Sequence, residues 1–236
     1  MAVLLCEVDL SLVTVTDAPV AVLWDLDGTI IDSEPYWIVA ETELVGRFGG
    51  TWTHDDGLAM IGKGLPDTAH YLQERGVELS VDDITQGMTT RVLQQMEAAI
   101  PWRPGARELI TSLFEADIPM AIATMAFTSM AESVAHALRP VTFGAIVAGD
   151  QVKNSKPHPE IYQTAAERLG VGINSCVAIE DSPVGIESAM SAGAVTIGVP
   201  LMLNLETSSA HLLWPSLAGK RVDDVINAFN EIRGRR

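Results

Sequence analysis

The chain has 236 residues, 47% of them hydrophobic, with 31 acidic against 15 basic side chains for a formal charge of −16. That length suggests one or two domains and a core large enough to stand without disulfides or structural metals. The acidic field repels phosphate backbones and excludes general nucleic-acid binding, while a small anionic substrate is admissible where a metal or a few placed cations reverse the sign locally. Cys6 and Cys176 have neither metal-ligand spacing nor a disulfide framework, which fits a reducing cytoplasm. No uncharged apolar run approaches the ~20 residues a bilayer needs. Residues 1–18 begin MAVLL, but no basic region precedes the run and Glu7 and Asp9 follow at once. They read as an extension rather than a signal peptide and are set apart from the fold.

The first buried strand is predicted at residues 20–24 (VAVLW). Residues 33–101 then carry no convincing strand, only helical patterns at 36–48, 66–75 and 82–99. At 101–105 (PWRPG) the chain returns to alternating elements. Near-continuous apolar runs at 119–124 (PMAIAT), 143–148 (FGAIVA), 176–180 (CVAIE) and 194–199 (AVTIGV) read as parallel strands covered on both faces. Between them, residues 160–169 form a helical pattern that Gly170 stops, and Ser182-Pro183 opens another helix that closes at Gly193. The basic residues from Lys220 to Arg236 read as a solvated helix end and tail. Strict alternation argues for an α/β fold with a doubly wound parallel sheet, interrupted once by an all-helical insertion. The expected domains are a core at 19–32 and 102–236 and a helical cap at 33–101.

Chemistry-bearing residues fall at the expected strand ends. Asp25 and Asp27, in DLDGT at 25–29, follow the first strand, where open α/β sheets bind ligands. Asp27-Gly28 is also a hairpin signal, but that leaves Asp25 unexplained; turn and site can coexist. Glu180 and Asp181 form a second acidic pair, beyond what capping requires with Ser182 already in place. Four such carboxylates make an oxygen-rich pocket suited to Mg²⁺. Thr124 closes its strand with a hydroxyl able to donate to phosphate. Lys156, in the stiff segment SKPHP, supplies positive charge. Glycines at 62 and 64 flank Lys63, a candidate for contact with an anionic or hydroxyl-rich substrate, and Glu34 and Trp37 are candidates for the entrance. Met125 and Phe127 are expected to make one side of the pocket apolar. The five histidines show no zinc pattern, and His158 reads as a surface residue.

Taken in order, DLDGT, the Thr124 strand end, Lys156 in SKPHPE and the acidic pair in IEDSPVGI resemble the haloacid dehalogenase superfamily. The insertion after the first motif looks like the helical cap of its β-phosphoglucomutase-like and sugar-phosphate phosphatase subgroup. The resemblance implies a Rossmann-like core and a Mg²⁺-dependent phosphatase of small phosphorylated metabolites, sugar or polyol phosphates. It implies that Asp25 is the nucleophile, forming an aspartyl-phosphate, and that Asp27 is the general acid and base. Mg²⁺ would be bound by Asp25, the Asp27 main-chain carbonyl and Asp181, with Glu180 a ligand or a supporting residue. Thr124 and Lys156 would hold the phosphoryl oxygens. Alternative readings are a phosphoglucomutase-type mutase, which shares this apparatus, and a non-catalytic regulator on the same fold. Neither a nucleic acid nor a membrane is an expected partner, and the sequence sets no oligomeric state, a monomer being consistent with it.

Overall fold

A computed structural model describes residues 18–61 and 63–234. The expected extension at 1–18 lies outside the described residues but for Ala18, as do Gly62 and the last two arginines. From the amino end the elements are β1 (Ala21–Trp24), α1 (Glu34–Arg47), α2 (His54–Leu58), α3 (Leu65–Glu74), α4 (Val81–Ala98), α5 (Ala106–Glu115) and β2 (Met120–Ala123). They continue with α6 (Thr128–Ala137), β3 (Ala145–Val147), α7 (Glu160–Arg168), β4 (Cys176–Glu180), α8 (Pro183–Ala192), β5 (Val195–Gly198), β6 (Leu212–Leu213) and α9 (Val222–Gly234).

The strands form one parallel sheet in the order β3-β2-β1-β4-β5-β6. All residues of β1, β2, β4 and β5 are buried, as their unbroken apolar runs require. Alternate residues serve opposite faces: Val22 and Trp24 enter one apolar cluster, Ala21 and Leu23 the other. The second cluster is rich in alanine, including Ala121, Ala123, Ala178, Ala165 and Ala189, which lets α7 and α8 lie close on that face. β3 is an edge strand, and Ala145 and Ile146 are only partly covered, against the expectation of two covered faces. The opposite edge, β6, is two residues long and carried no pattern to read.

The 33–101 segment contains α1 to α4 and, among the described residues, no strand. Its two connections to the sheet domain run side by side. Ile31 bridges Trp102 in antiparallel fashion, Asp32 N–H donates to the Pro101 carbonyl (2.7 Å), and Arg103 N–H donates to the Ile30 carbonyl (3.0 Å). The short α2 was not expected. It is held by a capping box in which Thr53 and Asp56 satisfy each other's backbone N–H groups. In α8 the Ser182 hydroxyl accepts from Gly185 N–H (3.1 Å), and Gly193 ends the helix at φ 100°, both as read from the sequence.

Candidate active site

The winding of the sheet builds the site. From β1 the chain proceeds through β2 and β3 to one side, then through β4, β5 and β6 to the other. The carboxyl ends of β1 and β4 therefore flank the point where strand order reverses, where loops diverge and leave a crevice. Asp25 directly follows β1, Thr124 follows β2, and Glu180 ends β4 with Asp181 next in the chain. Asp25, Glu180 and Asp181 are all buried, and each offers a carboxylate oxygen within 4.8 Å of the others.

Three carboxylates this close are costly unless cations and hydrogen bonds compensate them. Lys156, from the β3–α7 connection, supplies one cation: its ammonium donates to Asp25 Oδ1 (2.7 Å) and to Glu180 Oε1 (2.6 Å). Glu180 is fully engaged. Its Oε1 also accepts from the Tyr162 hydroxyl (2.8 Å), and its Oε2 accepts from the N–H groups of Asp181 (3.0 Å) and Ser182 (3.2 Å) and from the Ser182 hydroxyl (3.1 Å). Those bonds aim Glu180 at the lysine. Asp25 Oδ2, by contrast, is buried with no hydrogen-bond partner among the described residues.

The electrostatics follow from this crowding. Burial, with Glu180 beside it, pushes Asp25 up to about 7 against the pull of Lys156. Asp181 is raised well above the usual carboxylate range by burial and by Asp25 and Glu180. Burial works against the Lys156 ammonium, but the Asp25 and Glu180 carboxylates outweigh it and hold its pKa above the ordinary lysine value.

Asp27 has a separate environment. Its Oδ1 accepts from the Ser33 hydroxyl and from the Trp37 indole N–H (3.1 Å), and its Oδ2 takes a weak contact from the Thr124 hydroxyl (3.4 Å). Burial raises its pKa while these donors oppose the rise. Asp27-Gly28 forms a turn but no hairpin: Gly28 N–H donates to the Ile31 carbonyl (2.7 Å) with Gly28 at φ 85°, the bridge between Asp27 and Ile31 is parallel, and the chain runs on into α1.

The remaining predicted residues divide. An open cleft of about 580 Å³ is lined by Asp25, Asp27, Thr124, Lys156 and Asp181 from the sheet side. Lys63, Glu34 and Trp37 line it from the helical segment, Lys63 being exposed. Met125 and Ala126 are in the wall, but Phe127 is not; its ring packs against the larger apolar cluster. His158 is exposed, and its Nδ1 accepts from Glu160 N–H (3.2 Å), in keeping with a surface role.

A family model for haloacid dehalogenase-like hydrolases matches residues 22–199. The chain belongs to the haloacid dehalogenase-like hydrolase family. A phosphorylated carbohydrates phosphatase from Thermotoga maritima is 30% identical over 225 residues, covering 90% of this chain and 99% of that protein. Hexitol phosphatase B from Escherichia coli is 30% identical over 192 residues, covering 76% and 83%. A variant of CbbY from Rhodobacter sphaeroides, solved with xylulose-(1,5)-bisphosphate, superposes with a TM-score of 0.77 at 27% identity, covering 87% of this chain and 98% of that one.

For a member of this family the donor set fits a divalent cation. The oxygen Asp25 Oδ2 lacks a partner, Asp181 lies beside it, and one lysine cannot neutralise the group. Gly28 leaves the space clear, since a Cβ there would stand 2.0 Å from Asp181 Oδ2.

Several supporting residues had not been singled out in the sequence. Tyr162 holds Glu180, together with Ser182, which had been read only as a helix cap. Ser33 holds Asp27, and Arg103 ties the Gly28 carbonyl (2.6 Å) to the Pro200 carbonyl (3.2 Å). Glu41 is a buried cleft residue that accepts from the Trp52 indole (2.9 Å). Ser33 directly precedes Glu34, the entrance candidate, in the sequence.

Proposed function

We propose that this hydrolase cleaves small phosphate monoesters of the sugar or polyol type through an aspartyl-phosphate on Asp25, with Mg²⁺ as its cofactor. The observation that carries the reading is the division of labour between the two aspartates. Asp25 is gripped through one oxygen by Lys156 and keeps the other buried and unpartnered, whereas Asp27 is held by neutral donors and raised by burial. A carboxylate paired with a cation suits nucleophilic attack, and a carboxyl hydrogen-bonded by neutral donors outside that ion pair suits holding and passing a proton.

In the first half-reaction a carboxylate oxygen of Asp25 bonds to phosphorus as the bond from phosphorus to the ester oxygen breaks. Asp27 gives its proton to the departing alkoxide. In the second, the Asp27 carboxylate takes a proton from water, whose oxygen attacks the same phosphorus. That releases phosphate and restores the Asp25 carboxylate. Lys156 and the Thr124 hydroxyl hold the phosphoryl oxygens, so catalysis is mainly positioning and charge compensation. Asp25, Asp181 and the Asp27 main-chain carbonyl would hold Mg²⁺, with Glu180 a further ligand or the anchor of Lys156; its full set of hydrogen bonds favours the anchor. When bound, the ion offsets repulsion between carboxylate and phosphate.

The helical segment at 33–101 serves as the cap, with Lys63 meeting the substrate at the cleft mouth. Among the described residues no helix is long and apolar enough to cross a membrane, and we place the enzyme in the cytoplasm on its cysteine usage. Two relatives named as phosphatases support hydrolysis over phosphoryl return to the sugar. Acid quench after mixing with a phosphorus-labelled sugar phosphate and Mg²⁺ is expected to trap label on the wild type and none on Asp25→Asn. Chelation should abolish phosphate release. Undiminished labelling of Asp25→Asn would refute the intermediate, and release that survives chelation would refute the metal.

A further inference from the structure

The inward face of α1 has chemistry that the phosphoryl-transfer steps do not use. Glu34, Trp37 and Glu41 are spaced i, i+3 and i+7, so one stripe of the helix presents all three to the cleft. Glu34 is 8% exposed and has no hydrogen-bond partner among the described residues; Glu41 is 4% exposed and engages Trp52 through Oε2 alone. Buried carboxyl groups ordinarily find partners, and these two face open space. Seven residues of helix carry Glu41 about 10 Å further along the axis than Glu34, away from the reacting aspartates.

Resting on the phosphatase reading above, we infer that this face of α1 receives the non-phosphate end of the substrate, and that this end is an uncharged chain of hydroxyl groups. Hydroxyls donate to the open carboxyl oxygens. The carbon backbone between them meets Met60, Leu65 and Met88, which line the same cleft. A second phosphate is refused. Among the described residues the cleft is lined by two cations, Lys63 and Lys156, and Lys156 is already committed to Asp25 and Glu180. Lys63, exposed at the mouth, is then the sole cation left to meet a second dianion, which would lose its water beside Glu34 and Glu41.

The test is kcat/KM by phosphate release on three matched esters: a hexitol monophosphate, the same hexitol as its 1,6-bisphosphate, and hexyl phosphate, which lacks the hydroxyls. The wild type is expected to favour the monophosphate at least tenfold over each of the others. Glu34→Leu, which leaves no donor orphaned, and Glu41→Leu should each cut the hexitol-to-hexyl preference at least tenfold. Glu41→Gln, which keeps an acceptor for Trp52, should retain most of it. A loss of efficiency shared equally by all three esters in both leucine variants would mean a structural role and overturn the inference. So would a wild type that turns over the bisphosphate as well as the monophosphate. Equal release from every ester sinks this inference alone, whereas no release from any of them sinks the phosphatase reading with it.

Discussion

The α-carbon of Gly28 faces the carboxylate of Asp181 so closely that a methyl group added there would stand 2.0 Å from Oδ2 and 2.4 Å from Cγ. The turn after β1 and the end of β4 thus meet with no room for a side chain. Gly28 also sits at φ 85°, where L-residues are strained by about 1–3 kcal/mol. Gly28→Ala therefore combines local strain with displacement of a proposed metal ligand. We expect phosphatase activity to fall at least a hundredfold while the melting temperature drops only modestly. Raising Mg²⁺ should recover part of the activity, because the displaced carboxylate weakens metal affinity. Activity near wild type would mean that Asp181 is not needed where the structure places it.

Lys156 compensates two buried carboxylates at once, so its removal is a stability experiment as well as a catalytic one. Lys156→Met leaves Asp25 and Glu180 without their cation, and breaking a buried pair in this way costs about 3–5 kcal/mol. Adding Glu180→Gln removes one of the stranded charges. The double variant should be more stable than Lys156→Met by urea unfolding yet equally inactive, since the ammonium proposed to hold the phosphoryl group is still missing. Stability losses that simply add in the double variant would show that the two residues are energetically independent.

What could be read in advance follows from distance along the chain. The four long strands are buried on both faces and announce themselves as apolar runs. Asp25, Thr124 and Asp181 are legible because each directly follows such a run, and Glu180 because it ends one. Lys156 was legible as a cation directly ahead of a Pro-x-Pro segment. Tyr162 and Arg103 were not, because their roles depend on partners 18 and 75 residues away that only the folded sheet brings together. Glu41 looked like one more charged position on a helix, and its burial depends on how α1 meets the cleft and Trp52. The five-residue α2 and two-residue β6 are too short to show a period.

The helical segment touches the lysine-bearing loop at a second tight glycine. A Cβ on Gly64 would lie 2.6 Å from the Ser155 hydroxyl and 3.3 Å from Ser155 Cβ, next to Lys156. Gly64 has an ordinary backbone conformation as the residue capping α3, so Gly64→Ala carries no dihedral strain and acts through contact alone. We expect kcat/KM to fall about tenfold, by an overpacking effect of about 1–3 kcal/mol where the two loops meet. Ser155→Gly in the same chain should restore most of the loss. Failure of the second change to rescue the first would show that the two loops do not need this close approach in turnover.

The buried acids on α1 give the protein a signed pH dependence. Burial, with Glu34 and Asp56 nearby, lifts Glu41 to about 8 despite the Trp52 bond, and burial with Asp27, Asp32 and Asp25 lifts Glu34 to about 8. In the unfolded chain both titrate near the ordinary glutamate value of about 4.3. Between these limits the folded state binds more protons than the unfolded one, so unfolding free energy falls as pH rises. The metal-free protein should melt at higher temperature at pH 5.5 than at pH 8.5, through this window. Glu41→Gln keeps an acceptor for the Trp52 indole and removes one of the two titrations. It should raise the melting temperature at pH 8.5, raise it much less at pH 5.5, where only the unfolded glutamate has ionised, and flatten the slope between. A Glu41→Gln profile parallel to the wild type at every pH would show that Glu41 ionises in the folded protein as freely as it does in water.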